Sequence, residues 1–160
     1  MEFFLKADKF FRDILNRFSC FLPQLLFRIF LAYEFAQSGL EKLHGDNWFS
    51  DLIDEGKFPF PFNIVPAQIS WNLSMGAELI GAVALFLGLG TRYWCVTLMI
   101  LDAVAWISVH AGNGYNVCDD GWELPLIYMI MFVALLTQGA GKLSVDYWIS
   151  KKIESRKLFG

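Results

Sequence analysis

Four apolar runs, each close to twenty residues long, constrain this chain more than any other feature. They are FLPQLLFRIFLAYEFAQSGLEKL (about 21–43), ISWNLSMGAELIGAVALFLGL (about 69–89), RYWCVTLMILDAVAWISVH (about 92–110) and WELPLIYMIMFVALLTQGA (about 122–140). A helix rising about 1.5 Å per residue needs about 20 apolar residues to cross a hydrocarbon core of about 30 Å. It is also the one open structure that satisfies its own backbone in lipid. The competing explanation is a soluble bundle with buried helices. Composition argues against it: 56% of the 160 residues are hydrophobic and 18% charged, against about 45–50% and about 25% in soluble domains. The expected fold is all-α, an integral membrane four-helix transmembrane bundle forming a single domain over residues 1–160.

Charge placement gives this bundle a direction. Lys6, Lys9, Arg12 and Arg17 precede the first span, Arg92 lies in the link between the second and third, and Lys142, Lys151, Lys152, Arg156 and Lys157 follow the fourth. The other two connections hold Lys57 alone beside Asp46, Asp51, Asp54, Glu55, Asp119 and Asp120. The positive-inside rule then places both termini in the cytoplasm of a bacterial inner (plasma) membrane, crossed several times. The net charge of −3 offers no reason to expect nucleic-acid binding. Cys20, Cys95 and Cys118 are isolated, so neither a disulfide framework nor a zinc site is expected; Cys20 and Cys95 fall near the inner face and Cys118 outside.

The flanking and connecting segments read as membrane-surface elements. In residues 1–20, Phe3, Phe4, Ala7, Phe11, Ile14, Leu15 and Phe18 recur at helical spacing opposite Lys6, Lys9, Arg12, Asp13 and Asn16. Residues 143–158 repeat the pattern, with Val145, Trp148, Ile149 and Ile153 against Lys151, Lys152 and Arg156. Both are expected to be amphipathic interfacial helices lying on the lipid surface. The connection 44–68 opens with NWFSDLIDEG, a short helix with Asn47 as N-cap and Gly56 as C-cap, and continues as KFPFPFNIVP, where the prolines end the helix. It is expected to fold over the outer mouth as a lid. AGNGYNVCDDG is turn-rich, and GLGT allows only a tight helical hairpin.

Acidic residues inside these spans carry the functional signal. A charge at the bilayer centre costs about 2.5–3.5 kcal/mol on insertion scales and usually faces the bundle interior. Counted from the outer span ends, Glu34 and Glu78 each lie about 13 Å deep and Asp102 about 12 Å. Three helices thus place a carboxylate at one level. Glu34, Gln37, Ser38 and Glu41 share a stripe with Lys42 beside it; Asn72 and Met75 share a side with Glu78; Asp102, Trp106 and His110 are spaced by four. Tyr128 of the fourth span, about 9 Å deep, is placed to hydrogen-bond to the group. Three crowded carboxylates in low dielectric cannot all be ionised, so Arg28 or Lys42 is expected to offset what charge remains. Such a cluster suits proton handling beside a quinone, or binding of a polar or cationic ligand; the alternative is a structural network locking the helices. His44 and His110 fall at outer span ends, where haem or copper ligation is the functional reading and a solvated interfacial histidine the simpler one. No metal motif accompanies them.

Four blocks in order resemble the DoxX family: RIFLAYEFAQSGLEKL, GAELIGAVALFLGLGTRY, VHAGNGY and GAGKLSVDYWI. The long outer loop and HAGNGY are similar to the members found beside enzymes that make copper-binding, cysteine-modified peptides. The resemblance implies a small four-helix inner-membrane protein linked to membrane redox, as a thiosulfate:quinone oxidoreductase subunit or as part of a thiol and oxidative-stress complex. Arg28, Gly39, Lys42, Glu78, Arg92, His110, Asn113, Gly114 and Asp146 match the family pattern, whereas Glu34 and Asp102 come from the span geometry alone. The combined expectation is a redox-associated subunit. Glu34, Glu78 and Asp102 would be its proton-handling residues, and Arg28, Lys42, Trp106, His110, Asn113 and Tyr128 its ligand-binding residues. Its partners would be the lipid membrane and membrane or peripheral redox proteins, with an oligomer allowed by the small-residue run GAELIGA. A transport or export accessory and a non-catalytic scaffold are the alternatives.

Overall fold

The structure is a computed structural model describing residues 1–19 and 21–158, apart from the side chains of residues 2, 3, 7 and 158. Cys20 and the side chains of Phe3 and Ala7 therefore lie outside what is described. Among the described residues seven α-helices follow one another: α1 (Glu2–Ser19), α2 (Leu22–His44), α3 (Phe49–Asp54), α4 (Ala67–Leu87), α5 (Thr91–Ala105), α6 (Glu123–Gln138) and α7 (Val145–Leu158). A π turn, Trp106–His110, prolongs α5. No strand occurs among the described residues.

Local chemistry sets the helix ends. Proline opens α2 within its first turn, where the missing N–H costs nothing, and Pro66 precedes α4. The α4–α5 hairpin turns on Gly88 (φ 68°) and Gly90 (φ 60°), both left-handed, a conformation without penalty only for glycine. Gly88 is doubly required, because a Cβ there would stand 2.5 Å from Ser144 Cβ and 2.6 Å from Arg28 Cζ. The short helix of the first long connection starts later and ends earlier than its caps suggest. Asn47 Oδ1 accepts from Phe49 N–H at 3.0 Å, but Trp48 occupies the cap position and α3 closes at Asp54, before Gly56.

Helix α2 lies most extensively against α4, and α5 packs on both α6 and α4. Close approach of α2 and α4 depends on Gly39, whose added Cβ would meet Leu79 Cδ2 at 2.8 Å. The core shared by α2, α4, α5 and α6 is Leu31, Ala32, Phe35, Ala82, Leu85, Cys95, Leu98, Phe132 and Leu135. A second cluster, Phe49, Phe58 and Trp71, fastens the α3 connection to α4. Most of the remaining apolar surface is uncovered: Ile80, Val83, Phe86, Tyr93 and Ile130 are all exposed, a distribution that water would penalise and hydrocarbon would not.

By length and composition, Ala67–Leu87 and Thr91–His110 are long and apolar enough to cross a membrane. Helices α1 and α2, bent by 43° relative to one another, pass the same test as a pair, and α6 is apolar but has only 16 residues. In the terminal helices the described apolar side chains stay uncovered: Phe4, Phe10, Phe11 and Leu15 of α1, and Trp148, Ile149 and Ile153 of α7, are exposed.

The end of the bundle holding the α4–α5 hairpin is locked by Arg28 and Asp146. Arg28, 1% exposed, donates from Nε to Leu85 O (2.8 Å), from Nη2 to Phe86 O (2.7 Å) and from Nη1 to Ala140 O (2.9 Å) and Leu143 O (2.8 Å). It thereby satisfies Phe86 O at the end of α4, joins Gly88 N–H as a second donor to Leu85 O, and ties both to the α6–α7 link. Asp146 accepts from Gly90 N–H (2.7 Å) and Thr91 N–H (2.9 Å), a carboxylate placed on the positive end of α5.

Candidate functional site

The opposite end of the bundle, where the two long connections lie, contains a cavity of about 340 Å³ whose wall includes Glu34, Ser38, Lys42, Glu78, Asp102, His110 and Tyr128. Each helix of the bundle contributes. Helix α2 presents Glu34, Ser38, Glu41 and Lys42 through its i, i+4 and i, i+3 repeat; α4 presents Glu78, α5 Asp102 and α6 Tyr128. The three carboxylates expected at one depth are brought to the wall of one chamber.

Two of them are engaged. Lys42 Nζ sits 2.9 Å from both Glu78 oxygens and donates to Ser38 Oγ at 2.8 Å. The pair is nearly enclosed, with side-chain exposures of 12% and 8%, so its attraction is little screened. Tyr128 O–H donates to Glu34 Oε2 at 2.8 Å, and its ring packs on Phe35 at 6.0 Å between centroids. The third is different. Asp102 is 5% exposed, and its Oδ2 is buried without a hydrogen-bond partner among the described residues. Buried carboxyl oxygens are almost always satisfied, so this oxygen, enclosed within a residue that borders the chamber, is an exception.

Several ligand-binding expectations are redirected. Arg28 does not reach the cavity or offset its charge, because its guanidinium is occupied by four carbonyls at the hairpin end. Trp106 is not on the cavity wall, although its N–H still bonds to Asp102 O one α turn back; the π turn Trp106–His110 begins there. Trp106 instead stacks on Trp122, centroids 5.3 Å apart and planes 9° from parallel, while His110 still borders the chamber. Asn113 shapes the loop, donating to Val109 O (3.3 Å) and Asp120 O (3.4 Å). Asn72 is exposed and accepts from Gln68, away from Glu78.

The lid also differs from expectation. No residue of the 45–66 connection borders the polar chamber; its rim comes from the second connection, through Val117, Asp120 and Gly121. His110 Nδ1 lies 2.6 Å from Asp120 O, and Gly121 N–H donates to Asn116 O. Buried Gly121 has no room for a side chain, since a Cβ would stand 2.5 Å from Gly114 O. Sequence reasoning missed Asp120 and Gly121 as rim residues. Their turn-forming composition was visible, but not the direction in which the loop folds.

Among the described residues, no three His, Cys, Asp or Glu side chains are grouped to hold a metal ion. His44 is exposed, with Nδ1 2.8 Å from Leu40 O. Cys95 is buried in the core and Cys118 is exposed.

The sequence pattern that defines the DoxX family matches residues 24–111, a stretch that contains Arg28, Glu34, Lys42, Glu78, Asp102 and His110. The chain belongs to the DoxX family. As a DoxX protein with apolar helices of spanning length it is a membrane protein, in contact with lipid. A Haemophilus influenzae protein described as uncharacterized is 54% identical over 127 residues, covering 79% of this chain and 83% of the relative. A second uncharacterized protein of that organism is 33% identical over 78 residues, covering 47% of this chain and 58% of its own length. No solved structure matches the chain.

Proposed function

We propose that this DoxX protein is a four-span protein of the bacterial inner membrane, with both termini cytoplasmic. In this reading it serves a membrane redox system by binding a quinone or similar small molecule in the polar chamber. The chamber opens outward, α6 is the shortest span, and α1 and α7 lie on the inner lipid surface. One observation carries the proposal: Asp102, whose Oδ2 is buried and without a partner among the described residues, borders a chamber that also holds Glu34, Glu78 and Lys42. An intramembrane carboxylate without a partner is expensive, and its retention is explained by a ligand that completes its hydrogen bond.

Reducing a quinone to a quinol takes two electrons and two protons. The electrons come from a membrane or peripheral redox partner; the side chains here supply only the protons and the orientation. Asp102 and Glu34 are the proton-carrying groups nearest a bound head group, with Tyr128 holding Glu34 and Lys42 holding Glu78. His110, bordered by Asp120, stands at the outer rim as the exchange point with water.

Thermal unfolding of the purified protein with and without a short-chain quinone tests this. At a ligand concentration of about 100 Kd, binding adds about 2.7 kcal/mol, an upward Tm shift on the order of 5 °C for a chain of this size. Asp102→Asn should diminish the shift. An absence of any shift in the wild type refutes the proposal. A scaffold is the second reading, favoured by Lys42–Glu78 and Tyr128–Glu34 tying α2 to α4 and α6. It requires Glu78→Gln and Asp102→Asn to leave the cellular phenotype unchanged.

A further inference from the structure

A second cavity of about 410 Å³ lies beside the polar chamber and shares Lys42, Glu78, Leu101 and Ala105 with it. Its character is opposite. Trp48, Phe49, Phe58 and Phe62 of the first long connection roof it, and Leu73, Ala77, Ile100 and Val104 of α4 and α5 form its floor. The hydroxyls at its edges are mostly occupied by their own helices: Ser74 Oγ donates to Trp71 O (2.9 Å) and Thr97 Oγ1 to Tyr93 O (3.2 Å). Ser108, 5% exposed, also lines the cavity, and its Oγ is buried without a partner among the described residues.

Packed interiors hold few voids larger than a water molecule, because atoms lining an empty space lose their dispersion partners. An apolar space of this size is therefore expected to be filled. Its rim points to the source of the occupant. Leu73 (66% exposed) and Ile100 (48%) belong to spans that satisfy the length and hydropathy test for crossing a membrane, so this side faces hydrocarbon. In the roof, Trp48, Phe49 and Phe58 interlock with one another and with Trp71 of α4, at centroid separations of 4.9–5.8 Å.

We propose that the two cavities are one site for a membrane-soluble, single-chain amphiphile. Its hydrocarbon tail enters from the lipid between α4 and α5 beneath the aromatic roof, and its hydrogen-bonding head group crosses the Lys42–Glu78 seam to reach Asp102. This deepens the reading of the polar chamber as a ligand site and rests on it. It adds the substrate class, a molecule with one long tail, and a lateral route of entry. Ser108 provides a polar contact where tail meets head.

The test uses a benzoquinone head group without a tail, the same head group with a ten-carbon tail, and a version of the latter carrying a photoreactive diazirine on the tail. On the intact protein in nanodiscs, the tail should strengthen binding at least tenfold, and the gain should fall below threefold in Ala77→Phe, which fills the apolar cavity. Photolabelling of the wild type, where no fold is perturbed, should concentrate on residues 48–62 and 100–108. Competition with unlabelled tailed quinone or with a monoacyl fatty acid tells a quinone tail from a lipid chain, and displacement by either supports the site. An equal tail gain in wild type and Ala77→Phe overturns the proposal. So does labelling spread over the lipid-exposed Ile80, Val83 and Ile130, or label displaced by neither competitor. If the tail-less head group still protects thermally in those cases, the polar chamber stands as a ligand site and only the tail site falls. Failure of both head groups to bind removes the two readings together.

Discussion

Arg28→Met is the most demanding test of the packing described here. The substitution keeps most of the side-chain volume and removes every donor. Four carbonyl oxygens, Leu85, Phe86, Ala140 and Leu143, lose partners at 2.7–2.9 Å. Hydrogen bonds to a charged group contribute about 1.5–3 kcal/mol each, and each buried acceptor left unpaired costs about 1–3 kcal/mol. Leu85 O keeps Gly88 N–H at 3.1 Å, so a plain sum over the other three would be roughly 3–9 kcal/mol, but such contacts share partners and do not add. Water can also reach carbonyls near a helix end, so the lower part of the range, about 4 kcal/mol, is the expected loss. That is a large fraction of a typical total of about 5–15 kcal/mol. Arg28→Lys keeps the charge but concentrates its donors on one atom, which cannot span both the α4 terminus and the α6–α7 link; about half the loss is expected to remain. Equilibrium denaturation of the purified protein, followed by circular dichroism, gives the stabilities. Hydrogen exchange gives the location: amides of residues 139–147 should lose protection first. If Arg28→Met is within about 1 kcal/mol of wild type, or if exchange rises at the polar chamber instead, the account of this end as a guanidinium-locked junction is wrong.

Other substitutions probe the chamber and the hairpin. Lys42→Met leaves Glu78 as a buried charge without its partner and should destabilise by about 3–5 kcal/mol; adding Glu78→Gln should recover most of the loss in the same denaturation assay. Asp102→Leu removes a buried oxygen that has no partner and should raise stability by about 1 kcal/mol while abolishing protection by a quinone, a trade of stability for function read by thermal unfolding with and without ligand. Tyr128→Phe deletes the O–H that Glu34 accepts and should cost about 1 kcal/mol by the same measurement. Gly88→Ala combines a left-handed φ with a Cβ 2.5 Å from Ser144 Cβ; its loss should exceed the roughly 1 kcal/mol of a simple left-handed penalty, and purification yield should fall with it.

Helices, and the carboxylates they carry, were legible from one-dimensional pattern. The apolar runs are long enough that α2, α4 and α6 begin and end within two residues of the spans read from sequence, as does α5 once the π turn Trp106–His110 is added to it. Glu34, Glu78 and Asp102 could be assigned a common depth because rise per residue is constant in a helix. The π turn Trp106–His110 was not legible, because its i→i+5 pairing has no residue signature, nor was the absence of Trp106 from a chamber that Asp102 and His110 border. The partner of a charge was not legible either. Arg28 and Lys42 lie fourteen residues apart on the same helix, at opposite ends, yet only Lys42 meets a carboxylate of the cavity, at Glu78.

Sequence by itself thus determined that the chain is helical and membrane-suited, and that several of its apolar helices carry an acidic side chain, because those properties depend on period and length along a single rod. Tertiary structure decided which connection rims the polar chamber, which cation pairs with Glu78, which carboxyl oxygen stays free, and that an apolar cavity adjoins the polar one. These depend on how rods and loops are rotated and set against one another, and hydrophobic periodicity leaves that rotation open wherever the outer faces are as apolar as the inner ones.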